Sequence, residues 1–190
     1  MMQLFGSLTS PYVRHCRIAL LQAGLAHELV GTDYAASARL APTQRVPFLI
    51  DETLRLNDSA SILRHIRERQ GIGFLADIRD FDFFLLANTA LDTTVNLFLL
   101  ERDGIKPEAC AYLQRQVDRI GSSLEELNRL AAEHPARSDP LASDALLRLL
   151  CLLSWALFRE RLKLDTYPEL KAMLDSVEHD PLFAQTRPVA

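Results

Sequence analysis

Cysteine is scarce in this sequence, and the three cysteines present are not spaced for disulfide or metal chemistry. Cys16, Cys110 and Cys151 are odd in number, and no two of them form a CxxC pair. Such a pattern favours neither a disulfide framework nor a zinc site and is typical of a reducing compartment. The five histidines are scattered, with none at metal-ligand spacing from another histidine or a cysteine. We therefore expect no bound metal and a cytoplasmic location.

The sequence also lacks an excess of either charge and a long apolar run. Its 21 Lys and Arg residues nearly balance 25 Asp and Glu residues, whereas binding of nucleic-acid phosphates needs a concentrated basic stripe. The most apolar stretch, residues 149–158, is too short to span a bilayer and is bounded by Arg148 and Arg159. The first residues lack the basic flank and apolar run of a secretory signal. We expect neither a nucleic-acid nor a membrane partner.

What the first half does contain is an alternation of helix and strand signals. Ser10-Pro11 combines an N-cap residue with a proline at the first helical position, and apolar residues follow at helical spacing until a stop at Gly24. The predicted elements are strands at 3–5, 27–30, 48–50 and 54–56, and helices from residue 10, over 35–40 and from residue 59. This order predicts a small mixed sheet with helices packed on it.

After about residue 78 the strand signals disappear and helical periodicity takes over. Apolar residues recur at helical spacing over 84–98 and 113–131, and Pro168 and Pro181 mark shorter helices. Residues 145–158 are apolar on nearly every side, which is typical of the buried central helix of a bundle. The sequence therefore predicts an α/β domain over residues 1–75 and an all-helical domain over 80–190.

Two short motifs between the predicted strands indicate a ligand site. In the run from Arg45 to Ile50, Pro47 precedes an apolar stretch, and a proline cannot donate to a sheet ladder, so it stands at the start of a strand or in a special turn. Asp58-Ser59 stands where a helix begins, and there the backbone N–H groups are free to bind an anion. Together the motifs predict an extended-backbone clamp beside a carboxylate-binding helix end.

These motifs, in this order, resemble those of the cytosolic glutathione transferase superfamily, and most of all its small bacterial members. The segment Thr9–Arg14, which contains Ser-Pro-Tyr-Val-Arg, resembles the first-helix active-site motif. Val46-Pro47 resembles the cis-proline clamp, Asp58-Ser59 the acidic-Ser motif, and residues 167–170 with 180–183 the closing helices. The resemblance implies an α/β thioredoxin-like N-terminal domain followed by an all-α C-terminal helical domain, which is the glutathione transferase fold.

The resemblance also implies a catalytic role for Ser10, with Thr9 as the alternative. The Ser10 hydroxyl would donate a hydrogen bond to the sulfur of glutathione, and the helix N-terminus would favour the thiolate. From local sequence alone, Ser10 is instead an N-cap that accepts from the Val13 N–H. Cys16 shares the apolar stripe of the same helix, so we interpret it as a packed thiol rather than a nucleophile.

Five further residues are implied in binding glutathione. Val46, ahead of a cis Pro47, would pair its N–H and C=O with the cysteinyl backbone, as in a strand. Ser59 would hold the γ-glutamyl carboxylate and Asp58 the γ-glutamyl ammonium, unless the pair is only a helix cap. Arg45 would reach the glycyl carboxylate, or else is a solvated loop charge.

The sequence departs from the family pattern at three places. Gln44-Arg45 replaces a common Gly-Lys pair, and Asp58 replaces the more usual Glu. Leu141 stands where a Ser or Thr usually caps the buried helix three residues before Asp144. The cap of that helix is therefore left open between Ser138, Asp139 and Ser143.

Taken together, we expect a glutathione-binding transferase, acting as a homodimer, that conjugates glutathione to a small electrophile. The second substrate is expected between the two domains, against helical-domain side chains such as those near residues 96–102. The alternative is a non-catalytic regulatory or protein-interaction module of the same fold. A glutathione-dependent thiol-disulfide enzyme is less favoured, because it would need a cysteine where Ser10 stands.

Overall fold

The computed structural model describes residues 1–189. The strands are β1 (Met2–Gly6), β2 (His27–Gly31), β3 (Phe48–Asp51) and β4 (Leu54–Leu56). The α-helices are α1 (Pro11–Gln22), α2 (Tyr34–Leu40), α3 (Ser59–Arg69), α4 (Ile78–Arg102), α5 (Ala111–Glu133), α6 (Asp144–Phe158), α7 (Pro168–Val177) and α8 (Pro181–Ala184). Short 3₁₀ helices occupy Pro107–Ala109, Pro135–Ser138 and Pro140–Ala142.

The described residues form two compact units. One contains Met1–Phe74 together with the chain from His179 onward, and the other contains Leu75–Glu178. We call them the N-terminal unit and the helical unit. The division into domains at 1–75 and 80–190 stays a prediction. In the contact-based units, α8 belongs to the N-terminal unit.

A four-stranded mixed sheet in the order β2-β1-β3-β4 organises the N-terminal unit. β1 pairs parallel to β2 and antiparallel to β3, so that Leu4 lies between Leu29 and Leu49. Leu4 and Leu49 are fully buried, as expected where helices cover a sheet. The β3–β4 hairpin turns without a glycine, because Glu52 adopts a left-handed φ of 53°. The predicted thioredoxin-like arrangement is confirmed.

The helical unit is built around α6, whose residues are buried on nearly every side, as the sequence predicted. Ser143 caps α6, since its Oγ accepts a hydrogen bond from the Leu146 N–H at 3.3 Å. Of the three capping candidates, Ser143 is therefore the one used. The all-helical C-terminal part of the predicted fold is confirmed.

Helix α4 is longer than the periodicity predicted, beginning at Ile78 rather than near residue 84. Asp77 caps it by accepting from the Arg79 N–H at 2.7 Å. By length and composition α4 could cross a membrane, but the core helix of a helical bundle has the same properties. Its Ala87 and Leu91 side chains are fully buried in the unit.

Candidate active site

Ser10 begins α1 and caps it. Its backbone is extended, Pro11 follows at the first helical position, and its Oγ accepts from the Val13 N–H at 3.3 Å. A serine hydroxyl has one proton to donate and two acceptor lone pairs. The cap uses one lone pair only, so the proton remains able to donate to a ligand. Capping and thiolate stabilisation are therefore compatible in the same side chain.

The loop before α1 contains a hydroxyl that the sequence analysis missed. The Ser7 Oγ lies 2.7 Å from the Thr9 Oγ1 and accepts from the Thr9 N–H at 3.2 Å. A serine two residues before a threonine in a loop is the signal that could have revealed this turn. Ser7, Thr9 and Ser10 are all half-buried. The Thr9 hydroxyl is hydrogen-bonded to the Ser7 hydroxyl, and either oxygen can be the donor. The Ser10 hydroxyl is bonded only to the backbone of its own helix.

The Val46–Pro47 peptide bond is cis. Pro47 is buried, Val46 is half-buried, and β3 begins at the next residue, Phe48. Within residues 1–189, neither the N–H nor the C=O of Val46 forms a backbone hydrogen bond. Val46 thus presents the donor and acceptor pair that a strand-like clamp requires.

Asp58 is the N-cap of α3, and Ser59 is its first residue. The Asp58 Oδ1 accepts from the Ala60 N–H at 2.7 Å, and its side chain is exposed. Ser59 is buried, and its C=O receives a weak hydrogen bond from the Cys16 Sγ at 3.9 Å. Cys16 is itself fully buried, in agreement with its interpretation as a packed thiol. The helix-cap geometry that the sequence allowed for Asp58 is therefore present.

Arg45 is exposed, and within the described part of the chain it forms neither an ion pair nor a hydrogen bond. Its guanidinium charge is therefore available to an anion. An exposed arginine without partners fits an anion-binding residue and a solvated loop charge equally well.

The sheet topology brings these segments to one end of the strands in the N-terminal unit. The Phe5 and Phe48 rings are stacked with centroids 4.4 Å apart, at the last paired position of the antiparallel β1–β3 ladder. The loop that follows β1 leads to Ser10, and the segment that precedes β3 contains Val46. The Cys16–Ser59 contact joins α1 to the start of α3. Neighbouring elements therefore contribute the first turns of α1 and α3 and the unpaired backbone of Val46.

The helical unit has a cavity of its own, between α4 and α5. Its volume is about 380 Å³, and its lining includes Asn96, Leu97 and Leu100 from α4 and Gln116 from α5. The region near residues 96–102, where the second substrate was expected, thus includes part of a cavity wall. Within residues 1–189 no group of three or more His, Cys, Asp or Glu side chains is placed to hold a metal ion.

Comparisons with known proteins agree with this architecture. Residues 4–72 match the family model described as glutathione S-transferase, N-terminal domain. No curated protein matches the sequence. Among solved structures, a glutathione S-transferase from Methylobacillus flagellatus KT with glutathione bound is 22% identical, with a TM-score of 0.86 and full coverage of both chains.

Two further structures are similar. A glutathione transferase family member from Pseudomonas fluorescens Pf-5 with bound glutathione is 24% identical over 100% of both chains, with a TM-score of 0.81. A maleyl pyruvate isomerase, a bacterial glutathione S-transferase in the Zeta class, is 19% identical over 98% of this chain and 96% of its own, with a TM-score of 0.78. The chain therefore has the glutathione transferase fold, with an N-terminal part that matches the glutathione S-transferase N-terminal domain.

Proposed function

We propose that this chain binds glutathione, activates its thiol and conjugates it to a small electrophilic substrate. The observation that carries the proposal is the start of α1, where the Ser10 cap leaves the hydroxyl proton available. It is supported by the match of residues 4–72 to the glutathione S-transferase N-terminal domain. Further support comes from similar folds solved with glutathione or glutathione sulfonate.

Ser10 acts in this proposal as a hydrogen-bond donor, and the glutathione sulfur is the nucleophile. A free thiol has a pKa of about 8.5, so little of it is thiolate at neutral pH. Lowering that pKa by about two units requires roughly 2.7 kcal/mol of preferential stabilisation of the thiolate. The Ser10 O–H and the N-terminal dipole of α1 both favour negative charge at this point. Thr9 is the alternative donor, although its hydroxyl is engaged by Ser7.

The remaining residues bind and orient glutathione. The unpaired backbone of Val46, ahead of Pro47, pairs with the cysteinyl unit, and Ser59 at the start of α3 receives the γ-glutamyl carboxylate. The Asp58 Oδ1 is occupied by the cap, which leaves Oδ2 to meet the γ-glutamyl ammonium. Arg45 neutralises the glycyl carboxylate. With all three charged groups of glutathione engaged, the thiol has one preferred position.

We also propose that the protein is a cytoplasmic homodimer with a role in detoxification. Ile78, Phe81 and Leu85 lie at helical spacing on one face of α4, with exposed fractions of 73%, 39% and 44%. An apolar face of this kind is typical of a protein–protein contact.

Calorimetric titration of glutathione, followed by a screen of electrophiles, tests this function. We expect saturable binding, and conjugation that falls in Ser10→Ala while affinity stays nearly unchanged. In that variant the pH midpoint of thiolate formation, followed by ultraviolet absorbance of the bound thiol, should rise. Thr9→Val is the matched comparison and should leave the midpoint unchanged.

Three outcomes would contradict parts of the proposal. A titration midpoint that moves in Thr9→Val but not in Ser10→Ala would transfer the donor role to Thr9. Binding without turnover of any electrophile would favour the non-catalytic module. No binding at all would remove glutathione from the function.

A further inference from the structure

Arg14 connects the start of α1 to a segment at the far end of the sequence. It lies four residues after Ser10 and is 2% exposed. Its Nη2 donates to the Phe183 C=O at 2.8 Å, and its Nε donates to the Thr186 Oγ1 at 3.3 Å. Its Cζ lies 3.8 Å from the centroid of the Phe183 ring. We call residues 179–189, which contain both partners, the 179–189 segment.

These contacts use both the edge and the face of the guanidinium. Burying a charged group is costly unless its donors are hydrogen-bonded. Arg14 places two donors on fixed acceptors while its flat face stacks on an aromatic ring, and lysine cannot reproduce this geometry. The side chain is therefore held in one orientation.

The 179–189 segment is a firm anchor for Arg14. Asp180 caps α8, since its Oδ1 accepts from the Leu182 and Phe183 N–H groups at 2.8 and 3.1 Å. Phe183 is 2% exposed and Thr186 is fully buried. The acceptors that meet Arg14 belong to a packed and capped turn, not to a free tail.

The backbone of Arg14 is tied to Ser10 directly. The Arg14 N–H donates to the Ser10 C=O at 3.0 Å, which closes the first turn of α1. Ser10 is therefore held by the main chain of a residue whose side chain is held by the 179–189 segment. A displaced first turn would move the Ser10 hydroxyl relative to any ligand.

We infer that Arg14 is a positioning residue for Ser10: the 179–189 segment holds Arg14, and Arg14 fixes the turn from which Ser10 meets the glutathione sulfur. The inference rests on the proposed function of Ser10. A hydrogen bond weakens steeply as its geometry degrades, so small displacements of this turn change how well the thiolate is stabilised. Residues more than 170 positions from Ser10 thereby influence the reactivity of bound glutathione without touching it.

Thr186→Val tests this link with little change of volume. It removes the Oγ1 acceptor of Arg14 and leaves the direct contacts between Arg14 and Phe183. It also removes the Oγ1 hydroxyl that donates to the Phe183 and Leu182 C=O groups at 3.0 and 3.2 Å, so the 179–189 segment itself is loosened. Thr94→Val is the matched control, because Thr94 is also a buried threonine, with its Oγ1 bonded to the Ala90 C=O at 2.7 Å, but lies in the helical unit.

Two measurements follow each variant. In the free protein, amide hydrogen exchange at residues 13 and 14 should be about 2- to 10-fold faster in Thr186→Val, because the hydroxyl that binds Arg14 to the 179–189 segment is lost. With glutathione bound, the pH midpoint of thiolate formation should rise by roughly 0.3 to 1 unit. Thr94→Val should change neither quantity. Arg14→Lys should increase the exchange rate and raise the thiolate midpoint by more than Thr186→Val does. If Arg14→Lys does not fold, the result for Thr186→Val decides.

The outcomes separate the inference from the proposed function. Faster exchange in Thr186→Val with an unchanged thiolate midpoint would show that the segment only stabilises the fold, which overturns the role of Arg14. Unchanged exchange would show that the segment does not hold α1, with the same consequence. If the wild-type protein binds no glutathione, the proposed function itself fails. If glutathione binds but the thiolate midpoint is the same in Thr186→Val, only the role of Arg14 fails.

Discussion

At the scale of single residues, the proposed site uses side chains that already have a structural role in the protein. Ser10 caps α1 with a lone pair and keeps its proton, so a stable helix and the proposed hydrogen bond to a thiolate both favour serine at this position. Asp58 is similar, because one carboxylate oxygen caps α3 and the other remains for a cation. A local sequence pattern therefore cannot distinguish the cap from the ligand contact at either position.

His134 is a residue at which structure and pH are linked. Its Nδ1 accepts from the Ala136 N–H at 3.2 Å, so in the neutral ring the proton is on Nε2, 3.3 Å from an Asp80 carboxylate oxygen. The ring also packs edge-on against Phe83, with centroids 5.2 Å apart. Burial lowers the pKa of His134, and this outweighs the opposing effect of Asp80. Protonation would also remove the acceptor that Ala136 uses.

This arrangement predicts a loss of stability on acidification. An unfolded histidine has a pKa of about 6.5, so below that pH the unfolded chain binds more protons than the folded one. The contribution of His134 is thus complete above about pH 6.5 and is lost as the pH falls through its lower folded pKa. In His134→Asn, whose Oδ1 can replace Nδ1 as acceptor, the free energy of unfolding should fall less between about pH 7.5 and about pH 5.5.

Urea denaturation at each pH measures this difference. His179→Asn is the control, because His179 is exposed, and its pH dependence should follow the wild type. Parallel curves for His134→Asn and the wild type would show that His134 does not cause the acid sensitivity.

At the scale of elements, four helices end in the same way with different residues. In each, a residue just after the helix has a left-handed φ, and the next N–H bonds back to a carbonyl five residues earlier. The residues are Gly24 after α1, Gly71 after α3, Gly104 after α4 and Glu160 after α6, with φ values of 60°, 75°, 87° and 56°. Gly24 was recognised in the sequence as the stop of α1, whereas Glu160 carries no comparable signal for the end of α6.

Glu160→Gly should therefore stabilise the protein. The left-handed conformation costs a residue with a Cβ roughly 1–2 kcal/mol. Part of the gain from glycine is offset, because glycine has more conformational entropy to lose from the unfolded chain. Glu160 is exposed, and it forms no ion pair within residues 1–189, so little is lost with its side chain. We expect the free energy of unfolding to rise by about 0.5–1 kcal/mol.

The matched control is Gly104→Ala, at the same position after α4. It should lower the free energy of unfolding, since it introduces the Cβ that Glu160→Gly removes. Equal stability of Glu160→Gly and the wild type would mean that the left-handed conformation at residue 160 carries no measurable cost.

The element-scale predictions succeeded where a chemical signal is local. Ser10-Pro11, Gly24 and the apolar periods of the helices predicted the helices, and the short apolar runs at 3–5, 27–30, 48–50 and 54–56 predicted the strands between them. The start of α4 was misplaced because Asp77, its cap, precedes a first turn in which Arg79 and Asp80 hide the apolar period. The hairpin turn at Glu52 likewise carries no glycine to announce its left-handed φ of 53°.

At the scale of the whole molecule, sequence reasoning fails where contacts are remote. The Arg14–Phe183 hydrogen bond joins residues 169 positions apart, and neither residue carries a signal of the other. Nothing in the local pattern therefore indicated that α8 groups with the N-terminal unit. Ser7 was missed for a different reason, because short polar loops admit many turns and the Ser7–Thr9 contact depends on where β1 ends.

The exposed apolar face of α4 gives the proposed homodimer a test. Ile78, Phe81 and Leu85 share this face, and covering it with a second copy would remove apolar surface from water. Phe81→Glu combined with Leu85→Glu places two like charges on a face that a two-fold axis would bring near its own copy. We expect this variant to be a folded monomer by light scattering while the wild type is a dimer.

Leu157→Glu is the control for adding charge at an exposed apolar residue. Leu157 and Phe81 are equally exposed, at 39%, but Leu157 is near the end of α6. Arg148 of α6 contacts Phe84 and Trp155 contacts Phe98, so Leu157 lies beside the last turns of α4 and not beside its start. Its variant should remain dimeric. Circular dichroism should give the same helix content for all forms, because each substitution lies on an exposed helix surface. Assembly through α4 would be contradicted if the wild type is monomeric at high concentration, or if the double variant stays dimeric. If the double variant is a monomer that still binds glutathione, the dimer contact is not needed for the ligand site.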